Sequence, residues 1–452
     1  MRNCVMWAAV AVVTMVVLVL ESEGVSIEAY GAVEGKASNE AAWSNARAVM
    51  ATAKAVNEGV HGSDRVVEVP AGGTFYIFNA TMSGLKDVTF VIDGTLVVSN
   101  NISAWQDIAN KPSTGVLEVT DSTNITFTGA GLIDGQGYDF WWWVIITGKD
   151  FRPNLVNIYR TSGVTVTELH VRNSPQYHWN IRYVEDVYID NINVYVDVEA
   201  QKAALAVGGK LLTVHPEHPE WDIPVFPLNT DGIDIAGIRV VIQNSHITNY
   251  DDAIAVKPIY TGESPFSSCS QDMYVYNMSV VVGVGMSIGS VPPAVGTNCV
   301  RNITFDTQQD QPHSGPPPPR ATLTGPANTG CSFFYPIDPV CPTQPRVPIT
   351  NVVVDSFTAD KTLMLPGVIL CNATKPCSGL SFSSVAITGD FVVQPDWSCH
   401  NADVVQTQTT PAIKCDNSAS THTPNPVLPI PITGDIMADY VAWIRAARLA
   451  SM

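Results

Sequence analysis

Three carboxylates carry the chemistry that this sequence can do. Asn229-Thr230-Asp231-Gly232 is followed, twenty residues later, by Asp251-Asp252, in a chain where charged residues are only 15%. Asn, Asp and Gly are also routine turn residues, so either motif alone reads equally well as a turn. Their spacing favours a site. Clustered carboxylates raise one another's proton affinity, so one can stay protonated as a general acid while another directs water. Consecutive Asp251 and Asp252 cannot both point out of a regular strand, which predicts a turn or bulge between them. Further along, Gly283-Val284-Gly285-Met286-Ser287-Ile288-Gly289-Ser290 would keep backbone close and unobstructed beside the acids. A glycine floor with carboxylate walls suits an extended saccharide, with Asn229, Gly283 and Gly285 as substrate-binding candidates.

A repeating phrase supplies the scaffold. A turn residue followed by alternating β-formers recurs from Asp87-Val88, through Asn124-Ile125, Gly163-Val164, Asp186-Val187, Arg239-Val240, Asp272-Met273 and Asn302-Ile303, to Asn351-Val352 and Gly379-Leu380. Period-two alternation makes these strands. Matching positions lie 23 residues apart from Val164 to Val187, 33 from Val240 to Met273, 30 from Met273 to Ile303 and 28 from Val352 to Leu380. That period fits one coil of an all-β, right-handed parallel β-helix, in which residues one coil apart become neighbours. The two acidic motifs then stand on adjacent coils.

A solenoid needs covered ends. Ala41, Trp43, Ala46, Met50 and Ala53, after Ser38/Asn39, predict an amphipathic capping helix over 39–55. Ile436, Tyr440 and Ile444 predict a second in the tail 416–452. The β-helix domain is expected over 25–415, with an insertion at 200–228 and a Pro-rich irregular segment at 308–330. The interval from Ile303 to Val352 looks one patterned coil short. His215 and His218 fall in the insertion, where neighbouring prolines prevent a helical metal-binding face. No metal and no cofactor are expected.

Twenty-four Lys and Arg against 42 Asp and Glu give a net charge of −18, which repels phosphate backbones and anionic lipid and excludes nucleic acid as a main partner. Hydrophobic residues at 46% and a mean hydropathy of +0.12 exclude a disordered chain. Arg2 and the apolar run Val5–Leu20 read as a secretory signal, residues 1–24, so the mature chain is expected to be secreted, monomeric and free of membrane. Cysteines agree, since those beyond the signal pair most simply as 269–299, 331–341, 371–377 and 399–415. Sequons at Asn79, Asn101, Asn124, Asn277, Asn302 and Asn372 fit a glycosylated exported protein.

The ordered motifs resemble glycoside hydrolase family 28, the polygalacturonases and their relatives. Tyr30-Gly-Ala-Val, Leu132-Ile-Asp-Gly-Gln-Gly, Trp141-Trp, Arg152-Pro and Asn173-Ser-Pro precede Asn229-Thr-Asp-Gly, Asp251-Asp, the Gly283 motif and Cys371 to Cys377 in family order, over about residues 26 to 390. The resemblance implies a right-handed parallel β-helix, no metal, and hydrolysis of pectin-type galacturonan with inversion. It gives Asp251 the role of general acid, and Asp231 and Asp252 that of holding water. The chain departs from the family in having Val284 where a His is usual, Ala253 where a Cys is usual, and no evident Arg-x-Lys pair for the substrate carboxylate beyond an isolated Arg320. Lys257 and His178 are the substrate-binding candidates to supply some of that positive charge. Two rival readings follow: a catalytically silent glycan-binding or structural β-helix, and a Ca²⁺-dependent eliminase.

Overall fold

The computed structural model describes residues 24–424, apart from 109–113, 148–149, 198–226, 228, 282, 292–295, 297, 307–319, 324–339, 361, 363–364, 390–393 and 419. The signal segment, the 200–228 insertion, most of the Pro-rich segment, Cys331 and the C-terminal capping helix therefore lie outside the described residues, all but wholly or in full.

Alternating β-formers bury every second side chain and leave backbone groups free to pair with the next coil, and the strands wind accordingly. One large sheet carries the register Val88–Ile125–Val164–Val187–Val240–Met273–Ile303–Val352–Leu380–Val404, every neighbouring pair parallel. The repeat read from sequence is this ladder. A second parallel sheet stacks Phe75, Leu96, Ile133, Val171, Val194, Ile247 and Val280 in the same way. Parallel strands joined by such crossovers wind right-handed, and the chain is a right-handed parallel β-helix. Its interior is a continuous apolar column in which Phe90 and Phe127 stack at 4.8 Å, the spacing of successive strands.

The turn residue of the repeating phrase has a physical task. Asp87, Asn124, Gly163, Asp186, Arg239, Asp272, Asn302, Asn351 and Gly379 all have φ between 53° and 67°. The left-handed conformation bends the chain at each corner, and Asn, Asp and Gly tolerate it best. Their side chains also bridge coils: Asn124 donates to Asp87 at 2.8 Å, Asn302 to Asp272 at 2.9 Å, and Asn351 to Asn302 at 3.2 Å.

The N-terminal end is covered by a helix over Asn39–Asn57, capped by the Ser38 hydroxyl, which accepts from the Ala41 N–H at 3.2 Å. Ala42, Ala46, Val49, Ala53 and Val56 face the core, while Trp43 and Met50 pack at its edge. Buried Asn45 ties the helix to the first coils by bonds to both backbone groups of Val33 and to the Tyr76 carbonyl. Disulfides join Cys269 to Cys299, Cys371 to Cys377 and Cys399 to Cys415, the neighbour pairings expected from sequence. Among the described residues no helix is long and apolar enough to cross a membrane.

One expectation needs correction. No coil is missing between Ile303 and Val352, because these residues pair directly on successive coils. The coil that joins them carries the strand Arg320–Leu323, between Gly285–Ile288 and Gly367–Leu370. Sequence patterning missed this strand because four residues are too few to display an alternation beside a proline run.

Candidate active site

The strands Ile233–Gln243, Asp252–Val256 and Gly285–Ile288 lie on successive coils, with Ile233 paired to Ile254 and Asp252 to Gly285. Asp231 precedes the first strand and Asp251 the second. The ladder slips between Asp252 and Ile254, the irregularity that two consecutive outward acids require. Asp231, Asp251 and Asp252 each bring an oxygen within 4.8 Å of the others. Asp231 is 3% exposed, whereas Asp251 and Asp252 are half-buried.

Backbone donors hold the cluster. Asp251 accepts the Asn229 N–H at 3.2 Å on one oxygen and the Asp252 N–H at 2.9 Å on the other. Asn229 has φ 55°, and its side-chain carbonyl is fixed by the buried Arg152 at 2.9 Å, itself paired with Asp150 at 2.7 Å. Fully buried Asn249 donates to the carbonyls of Thr230 at 3.0 Å and Asp252 at 2.7 Å, tying the two acidic motifs together. Gly283 has φ 81°, and a Cβ there would stand 2.6 Å from the Asp251 carbonyl, so glycine is required for this close approach. Gly285, with φ 93°, lies beside Asp252. The intervening Val284 is buried.

Burial sets the proton affinities. It holds Asp231 well above the usual carboxylate range, reinforced by the charges of Asp251 and Asp234. Burial and then the charge of Asp251 push Asp252 up to about 7, against the pull of Lys257 and the Ser287 hydroxyl. Asp251 is raised by burial too, but its two backbone donors and Lys257 oppose the shift. Three carboxylates this close titrate as one group, so the cluster keeps at least one proton in mild acid.

Two substrate-binding candidates are engaged within the protein. His178 is fully buried; its Nδ1 lies 3.0 Å from the Asp231 carbonyl and the Ser174 N–H donates to its Nε2 at 3.2 Å. Burial lowers its pKa to about 4, so it is a neutral brace for the Asp231 loop rather than a positive charge. Lys257 is turned inward, its Nζ 3.5 Å from buried Asp234, which also takes Arg182 at 2.7 Å. Burial pulls the Lys257 pKa down, but Asp234, Asp231 and Asp252 outweigh it and the amine stays charged. Asp234, Arg182 and Asn249 are contributors that sequence reading passed over. Asp234 lies three residues after Asp231, where an Asp in an alternating strand reads as an ordinary outward residue. The backbone of Arg320 pairs with Gly285, the residue one coil beyond Asp252.

These carboxyl oxygens are closer than the roughly 6.5–9.5 Å between the two carboxyls of an inverting glycosidase. The separation is a departure from what inversion alone would predict.

A pH dependence follows from these shifts. The folded state holds protons on the cluster that the unfolded chain releases near pH 4, so stability should fall as pH rises from about 4 through about 7. Thermal melts across this range should show Tm declining, and Asp252→Asn should flatten the decline. An unchanged slope in Asp252→Asn would mean that Asp252 does not hold this proton.

The acids stand on adjacent coils of a parallel β-helix. The family model for glycosyl hydrolases family 28 matches residues 61–311, and the chain belongs to that family. It is 27% identical over 279 residues to a polygalacturonase of Chamaecyparis obtusa, a match spanning 59% of this chain but only 44% of that protein. It is 22% identical over 398 residues to exopolygalacturonase A of Aspergillus niger, covering 78% and 82% of the two chains. The solved endo-xylogalacturonan hydrolase from Aspergillus tubingensis shares the fold, with a TM-score of 0.53 and 18% identity over 83% of this chain and 96% of that one.

Proposed function

We propose that this chain is a secreted hydrolase of pectin-type, galacturonan-like polysaccharide, with Asp251 as general acid and Asp231 and Asp252 holding the attacking water. The observation that carries this reading is the three-carboxylate cluster, drawn from adjacent coils and keeping a proton in mild acid. Burial raises the proton affinity of all three carboxyls, so the cluster shares a proton in mild acid, and Asp251 delivers it to the leaving oxygen. Export is supported by the apolar leader and the paired cysteines.

A cation-dependent eliminase is favoured by one observation only, that three oxygens within 4.8 Å could hold a hard cation. Lys257 opposes it, because its charge already offsets the acids. Incubation with polygalacturonate and rhamnogalacturonan should release reducing ends without an unsaturated ultraviolet-absorbing product, and EDTA should leave the rate unchanged. An unsaturated product, or abolition by EDTA, would refute hydrolysis by these acids; absence of any turnover would favour the silent glycan-binding alternative. Inversion, implied by family resemblance, is tested by the anomeric configuration of the first product in NMR. A retained product would instead make one of the close carboxylates a nucleophile.

A further inference from the structure

A second cleft lies on the same outer sheet face, on the coils before the acids. It has a volume of about 510 Å³ and is lined by Glu118, Tyr159, Arg160, Arg182, Tyr183 and Glu263, among others. Its rows are in register with the candidate active site: Glu118 pairs with Asn157, Asn157 with Asn180, and Asn180 with Asp234. Successive coils are ~4.8 Å apart, so the cleft lies one to a few sugar rings from the acids along the helix axis.

The corner beside this cleft takes a left-handed residue on three successive coils, Asp121, Arg160 and Tyr183. The next coil is one residue shorter there, so pairing slips between Arg182 and Val184. Tyr183 has φ 61°, which a bulky side chain adopts only under constraint. Gly237 stands opposite, where a Cβ would lie 2.5 Å from the Val184 carbonyl. That corner places Tyr183 beside Tyr159, at a ring separation of 6.4 Å and a tilt of 38°. Burial pushes the Tyr159 phenol up to about 12, so it stays a hydroxyl at any working pH.

Charge decides what the cleft accepts. Its two arginines are already committed: Arg160 to Asp121 through two bonds of 2.7 and 2.8 Å, and Arg182 to Asp234 at 2.7 Å and Asn180 at 2.6 Å. Glu263 is exposed, and Glu118 is engaged through Oε2 alone, by the Gly115 N–H and the Asn157 amide. Such a lining offers carboxylates as hydroxyl acceptors and phenol rings as an apolar wall, and it repels a uronate.

We infer that this cleft is a subsite for a neutral sugar ring, carried as a branch or as an alternate residue of the acidic polysaccharide. The inference rests on the reading of the chain as a pectin-type glycosidase. Affinity should be measured by calorimetry on the full chain carrying Asp251→Asn, using unbranched polygalacturonate, xylose-branched galacturonan and rhamnogalacturonan. At least one of the two polymers with neutral sugars should bind about tenfold more tightly than the unbranched chain, the size of one good charge-assisted hydrogen bond. Adding Glu118→Gln with Glu263→Gln should bring that ratio close to one. Equal or tighter binding of the unbranched polymer, or a ratio that the glutamine changes leave intact, would overturn the subsite. Because binding is read without turnover, a preference that persists in a chain whose wild type cleaves nothing would sink the hydrolase reading and spare this one.

Discussion

Asp251→Asn should lose about 10²- to 10⁴-fold in kcat, the usual contribution of a general acid, while binding polysaccharide as tightly as the wild type. The amide keeps the carboxyl's shape and can accept one of the two N–H groups, that of Asn229 or that of Asp252, through its carbonyl oxygen, but it has no acidic proton to give. The rate profile carries the assignment. An acid must be protonated and a water-directing carboxylate ionised, so the wild type should fall off on both sides of a mildly acidic optimum. Asp251→Asn should flatten the alkaline limb, because that limb reports loss of the acid's proton. Asp252, whose pKa burial and Asp251 push up to about 7, supplies the competing possibility. If Asp252→Asn removes the alkaline limb and Asp251→Asn the acidic one, the two residues exchange roles. Wild-type turnover in a folded Asp251→Asn would reduce these acids to corner residues of the solenoid.

The fold was legible because its period is written in residues that have no alternative. A corner that must take φ near 55° selects Asn, Asp or Gly, and a strand buried on one face selects alternating Val, Ile and Phe. Those two demands recur at every coil, so register partners such as Val164 and Val187, or Met273 and Ile303, could be paired from spacing alone. The acids were legible for the same reason, since one coil's separation brings Asp231 and Asp252 together.

What lay beneath them was hidden. Nothing in the spacing says that Lys257 turns inward to Asp234 or that His178 braces a carbonyl, because side-chain direction beside a bulge does not follow alternation. The corner at Tyr183 hides for the opposite reason: within Arg182-Tyr-Val-Glu-Asp-Val a left-handed residue stands where no Gly, Asn or Asp marks it. The signal was Gly237, one coil on, where the corner loses a residue and an alternating run of β-formers is interrupted by glycine.

The ion network under the acids should carry the largest stability effect in the molecule. Asp234 is fully buried, receives Arg182 at 2.7 Å and Lys257 at 3.5 Å, and has one carboxyl oxygen without a partner. Removing one member of a buried pair leaves uncompensated charge in the interior, and costs about 3–5 kcal/mol. Asp234→Ala strands two cations, so denaturant unfolding should shift by at least that order. Lys257→Met added to Asp234→Ala should recover part of the loss, since it removes one stranded charge and fills the space with an apolar chain of similar length. The same change reaches the chemistry. The negative charge of Asp234 raises the proton affinity of Asp231 and Asp252, and Lys257 lowers it. Without Asp234 both influences pull the cluster's proton off earlier, so the alkaline limb of the rate profile should move to lower pH, and Lys257→Met should move it back. Additive stabilities in the double variant, with an unmoved pH profile, would mean that Asp234 and Lys257 act apart and that the acids set their own proton affinity.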